Sequence, residues 1–196
     1  MTGRGTVIRG IWLVCTLLIV CPSPAVPADE ASIALLDKAK AQISSAQLRE
    51  AMSTLQAALL KIWSASPMFV SKAVIVKEKA SGFGMYQPRG NNVFKTKEPI
   101  LIYLEPVAYT IRHEGELFAF GLETDFTLMD MKGKVLGGQR NFGKWSWKSH
   151  SPNFEIFMNL NFNLTGVPSG KYAIECVVRD KNSTKRATVR KTIEIR

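Results

Sequence analysis

At 196 residues the chain is long enough for one substantial domain and a small companion. A hydrophobic share of 46% against 21% charged residues excludes wholesale disorder. The formal charge of +10 is the one skewed property, and it points toward anionic partners rather than to a fold.

Arg4 and Arg9 precede an apolar run over 11–21, and Val26-Pro27-Ala28 supplies small residues where a signal peptidase reads. The run is about half of the roughly 20 residues that a bilayer span requires. Residues 1–28 are therefore expected to be a secretory signal peptide, and the mature chain is expected in the periplasm or the medium. Cleavage would remove Cys15 and Cys21 and leave Cys176 alone, so no internal disulfide is possible. Cys176 shares parity with Tyr172, Ile174 and Val178, which places it in a core.

From 29 to 66 the composition is helical, without Gly or Pro. Leu48, Met52, Leu55, Leu59 and Ile62 recur at spacings of four and three, one apolar stripe on one helix face. Ile33, Leu36 and Ile43 belong to another stripe. The phase breaks near Ser44-Ser45, where Ser44 with Gln47 reads as a capping box. Two antiparallel helices follow, over 31–43 and 46–65, with one bent helix as the alternative. Ala46, Leu48, Glu50, Ala51, Leu55, Ala58 and Leu59 resemble the second half of a tetratricopeptide repeat. The first helix departs from that pattern, with Gln42 where an aromatic is usual and serine at the turn in place of glycine. Such units are stable only when stacked, so the resemblance implies that the helices pack on the following domain, on a copy of themselves, or on a partner.

Pro67 ends the helical region, and strands are expected over 69–76, 99–104, 107–111, 116–128, 135–142, 154–164, 171–179 and 185–195. The strand at 116–128 is the longest: Phe118, Phe120, Leu122, Phe126 and Leu128 lie on one parity, interrupted by Thr124. Phe154, Ile156, Met158, Leu160, Phe162 and Leu164 alternate as cleanly and make its clearest partner. Residues 99–104 are apolar on both faces, which suits a central strand. Eight or so strands of this kind describe an antiparallel β-sandwich over 67–196. The closing segment, with Pro168, Gly170, Tyr172, Asp180 and a polar turn, resembles the last hairpin of bacterial exported immunoglobulin-like modules. The resemblance implies architecture alone, since the cysteine pair and core tryptophan of antibody domains are absent.

Chemistry is sparse. His113-Glu114-x-Glu116 and His150 match no spaced metal motif, so neither a metal nor another cofactor is expected. No nucleophile elbow and no phosphate-cradling loop occurs, so no catalytic residue is assigned. The carboxylates of Glu105, Glu116, Glu123 and Asp125 are expected to be solvated. Two sequons, at Asn163 and Asn182, are discounted. Two surfaces remain. Arg140, Phe142, Lys144, Trp145, Trp147, Lys148 and His150 place aromatics among cations on a loop or short strand, a composition suited to sugar rings or a protein hot spot. The last hairpin carries Arg179, Lys181, Lys185, Arg186, Arg190, Lys191 and Arg196 against Asp180 and Glu194, which suits anionic lipid or polysaccharide or merely guards a sheet edge. Export and the lack of interleaved aromatics disfavour nucleic acid. The expected function is a non-enzymatic binding or adapter protein of the cell envelope, its partner another envelope protein; the alternative is a binder of anionic lipid or polysaccharide through the basic face, and a hydrolase or metal-binding protein ranks behind both.

Overall fold

The computed structural model describes residues 30–196; the expected signal peptide lies outside them. Two helices open the chain, α1 (Glu30–Ser44) and α2 (Leu48–Ala65). The capping box does not form. Ser44 Oγ donates instead to Lys40 O at 3.1 Å, and Gln47 precedes α2 without a side-chain cap. The turn is made by Ala46 at φ 60°, with Gln47 N–H bonded back to Gln42 O at 2.9 Å.

Nine strands follow: β1 (Phe69–Val76), β2 (Val93–Phe94), β3 (Ile100–Val107), β4 (Arg112–Glu114), β5 (Leu117–Asp130), β6 (Val135–Ser149), β7 (Met158–Phe162), β8 (Gly170–Asp180) and β9 (Arg186–Ile195). They form a mainly β sandwich, antiparallel except where the short β2 pairs parallel with β9. One sheet runs β1-β3-β7 and puts the doubly apolar β3 in the middle. The other is built on β5. Phe118 and Ala119 pair with both β4 and β6, and Leu122 to Met129 lie between β6 and β8. So β6 flanks one edge of β5, while β8 and the short β4 share the other, and β9 and β2 continue beyond β8.

Phe120, Leu122 and Leu128 of β5 meet Ile156, Met158, Leu160 and Phe162 across the gap between the sheets. Residues 154–164 are therefore the partner of β5 across the core and not along it: β7 hydrogen-bonds to β3, and only residues 158–162 are strand. Alternation reports which side is buried and is silent on pairing. Three further expectations are corrected. Pro106 stays inside β3, opposite Val70, where a bulge absorbs its missing N–H. Beyond Val107, which ends β3, residues 108–111 are not a strand but a crossing that bends at Ala108, φ 64°, with Ala108 and Tyr109 buried. The strand opening at Val135 does not stop at Phe142 but runs on to Ser149. Cys176 is buried in the core, where desolvation pushes its thiol up to about 12.

Candidate functional site: the uncovered face of the helical hairpin

The aromatic and basic residues of β6 do not form one patch. Asp125 faces three residues of β6, Arg140, Asn141 and Phe142, because the pairing jumps from Thr124↔Gly143 to Phe126↔Gln139. This bulge, with Asn141 at φ 53°, returns Phe142 to the inward side. Phe142 stacks on Phe162 at 4.9 Å and meets Phe126 edge-on at 4.8 Å. Trp147 stacks on Phe120 at 5.6 Å. The Trp145 ring lies so close over Gly143 that a methyl group there would sit 2.1 Å from it. All three aromatics thus close the open side of the sandwich. The cations point the other way: Lys148 pairs with Glu114 at 2.7 Å and Lys144 approaches Glu123 at 3.8 Å. Arg140 and His150 are exposed. His113 lies on β4 against Phe118, at 4.2 Å between centroids, and among the described residues no group of three potential ligands could hold a metal.

The last hairpin is also less free than its composition suggests. Arg179 forms a bidentate bond to Asp125, both contacts at 2.9 Å, and reaches Glu123 at 3.1 Å. Arg196 pairs with Glu194, and Lys181 Nζ donates to Ser146 Oγ at 2.7 Å. Lys185 Nζ donates to the carbonyls of Ser64 and Ala108, at 2.8 and 3.0 Å, and burial pulls its ammonium below the usual lysine range. Arg186, Arg190 and Lys191 remain for an external anion.

The helices present a different picture. They close on each other through small residues, Ser32 and Ala39 of α1 against Ala51, Thr54 and Ala58 of α2, all buried. Small side chains allow the two backbones a close approach, which the large ones would prevent. Each residue advances about 100° round a helix, so the row Leu48, Met52, Leu55, Leu59, Ile62 sits roughly a quarter-turn from this contact. On α1, Leu36, Ile43 and Ile33 sit a similar angle from theirs. Because the helices are antiparallel, the two rows emerge on the same side of the hairpin. All eight side chains are between 37% and 61% exposed. The result is one continuous apolar face that nothing covers among the described residues.

The hairpin neither covers a sheet face nor lies along an edge. Its attachment is the last turn of α2. Trp63 Nε1–H donates to Tyr109 O at 2.7 Å, and its ring packs edge-on against Tyr109 and Phe154, each at 5.0 Å. Tyr109 in turn donates to Asn153 O at 2.6 Å, and burial raises its phenol. Asp180, buried, accepts from the Thr110 N–H at 2.7 Å, the Asn182 N–H at 2.8 Å and the Ser183 hydroxyl at 2.8 Å. The residues 108–110, 180–185 and Trp63 thereby form a rigid mount. One signal for this mount lies in the sequence: Trp63 stands off the apolar stripe of α2, and a tryptophan so placed needs a partner for its N–H. Beside the mount, Leu59, Ser149 and residues 151–155 line a cleft of about 440 Å³.

Fold and site together define a class, an antiparallel β-sandwich that holds out a helical hairpin with an uncovered apolar face. No family model and no curated protein matches the chain. Solved structures similar to it include a Niemann-Pick type C2 protein from the Japanese carpenter ant, at 11% identity and a TM-score of 0.42, over 67% of this chain and 94% of that one. A sporulation control protein from Bacillus subtilis aligns at 8% identity and a TM-score of 0.34, over 66% of this chain and 49% of that one. A CARDB domain from Pyrococcus furiosus, in complex with di-metal ions, aligns at 12% identity and a TM-score of 0.27, over 66% of this chain and 86% of that one. Likenesses of this depth carry no argument about activity or ligand.

Proposed function

We propose that the protein is a non-enzymatic binding protein, exported to the cell envelope, whose docking element is the helical hairpin and whose sandwich is the rigid mount. The observation that carries this reading is the exposure of eight large apolar side chains on one side of two helices. A contiguous apolar face of this kind on a folded protein marks an interaction site, and helices that present their large residues outward fit a protein partner. The leader composition supports export. No helix among the described residues is long and apolar enough to cross a membrane.

A second reading, binding of anionic lipid or polysaccharide, draws on Arg186 and Arg190, which lie on the outer side of β9 and engage no described residue. It is the weaker one, because four of the seven cations of the last hairpin are spent on internal bonds.

A photo-crosslinking amino acid placed at Met52 or at Arg186 in the native host separates the two. The docking reading expects discrete protein adducts from position 52 that disappear with Leu55→Glu, and none from position 186. Adducts or lipid capture from position 186 alone would overturn it.

A further inference from the structure

The docking reading leaves the partner open, and the spacing of the exposed residues narrows it. On α2 the intervals 48, 52, 55, 59, 62 are four, three, four, three, the a/d seam of two heptads. On α1 the exposed Ile33, Leu36 and Ile43 fall on the same kind of seam at 33, 36, 40 and 43, with Lys40 at the remaining position. Seams of this type are the core positions of helix bundles. A two-helix layer with both seams on one side lacks only a second layer.

The seam on α2 is nearly symmetric about Leu55, with Met52 and Leu59 out of step by one residue, about 1.5 Å along the axis. Leu55 stands three residues from Met52 and four from Leu59, with Leu48 and Ile62 seven residues away on either side. An antiparallel copy laid on it would set Leu55 against Leu55, Met52 against Leu59 and Leu48 against Ile62. The α1 seam is symmetric about residue 38, which sets Ile33 against Ile43 and Leu36 against Lys40. The stem of Lys40 can then cover Leu36 of the copy while its ammonium leans outward to the copy's Asp37, which lies just outside the seam at the same level. Helices of 15 and 18 residues give two layers of equal length. Covering the eight exposed side chains removes on the order of 650 Å² per copy. With a polar rim, that approaches the roughly 800 Å² per partner of a standard stable interface. The mount permits the arrangement, because an antiparallel copy carries its sandwich at the opposite end. The hairpin turn at Ala46 of each copy then arrives at the cleft of the other that Leu59, Ser149 and residues 151–155 line.

We propose that the occupant of this face is a second copy of the chain, the two hairpins stacking about a two-fold axis at Leu55 into an antiparallel four-helix bundle. This rests on the docking reading and names its partner. The test uses the protein expressed from the full 196-residue chain, purified with the N-terminus its host leaves. Sedimentation equilibrium at high micromolar concentration is expected to give twice the chain mass. Leu55→Glu combined with Leu59→Glu is expected to give a monomer whose Cys176 stays shielded from thiol reagents, which shows that the sandwich has kept its fold, and Arg186→Glu is expected to remain a dimer. With an added oxidant, Leu55→Cys is expected to cross-link to itself and Ser53→Cys, on the opposite side of α2, is not. A wild-type monomer, or a dimer that survives Leu55→Glu with Leu59→Glu, would overturn the proposal. If the wild type is monomeric while position 52 still captures another protein in the host, self-association fails and the docking reading stands.

Discussion

Thr124 is the one break in the apolar parity of β5, and it is fully buried with its hydroxyl oxygen unbonded. A hydroxyl that gives up water without a protein partner costs on the order of 1 kcal/mol or more. Thr124→Val keeps the branched shape and removes that cost, so it is expected to stabilise the protein by about 1 kcal/mol. The midpoint of urea unfolding would rise at unchanged slope, and a lowered midpoint would show that the hydroxyl has a partner after all. Its neighbour Asp125 works in the opposite sense. Arg179 above all, and the Asn141 N–H at 2.7 Å, hold its carboxyl below the ordinary value of 3.8. A carboxylate whose folded pKa is depressed contributes stability that is complete above its unfolded value and is lost as pH falls through the folded one. Melting temperature should therefore drop as pH falls from about 4 downward, and Asp125→Asn should flatten that part of the profile while lowering stability at neutral pH. An unchanged acid limb in Asp125→Asn would mean that the Arg179 pair contributes nothing.

At the scale of elements, alternation in the sequence was a sound guide to burial and a poor one to pairing. Both helices, β1, the central place of β3, the long β5 and the buried Cys176 were legible because each shows its own period over many residues. Residues 154–164 alternate as well as any strand, yet only the five residues that reach β3 pair as strand. The full length of β6 is hidden in the sequence because Gly137 and Gly138 weaken its start and the bulge at Asn141 reverses its parity. That reversal made Phe142, Trp145 and Trp147 look like a loop patch, when in fact they plug the sandwich between Phe120, Phe126 and Phe162. The apolar row of α2 was plain in the sequence. Its exposure was not, because a helical wheel shows which residues share a side and leaves open whether the small or the large side meets the neighbouring helix. Here Ala51 and Ala58 won that contact. Nor could spacing show that Lys185, remote in sequence, would reach the end of α2 and help fix its direction.

For the molecule as a whole, the attachment to the sandwich and the exposed apolar row occupy different parts of the same helix, α2. Trp63 sits at the end of the continuous core and ties α2 to the sandwich by one short hydrogen bond and two ring contacts. Four residues away, Leu59 is 44% exposed at the edge of the cleft. Truncating a buried tryptophan costs on the order of 3–5 kcal/mol, and here it would also release the hairpin from its mount and leave the Tyr109 carbonyl without its donor. At Leu59 the cleft is open to solvent, so Leu59→Glu can turn its carboxylate outward and should stay within about 0.5 kcal/mol in the monomer. Trp63→Ala is thus expected to lower the melting temperature sharply and to speed protease cleavage between α2 and β1, whereas Leu59→Glu in dilute solution leaves both unchanged. If Leu59→Glu proved as damaging as Trp63→Ala at concentrations where the chain is monomeric, the row of α2 would be part of the folded core. The face assigned to docking would then be covered within the chain itself.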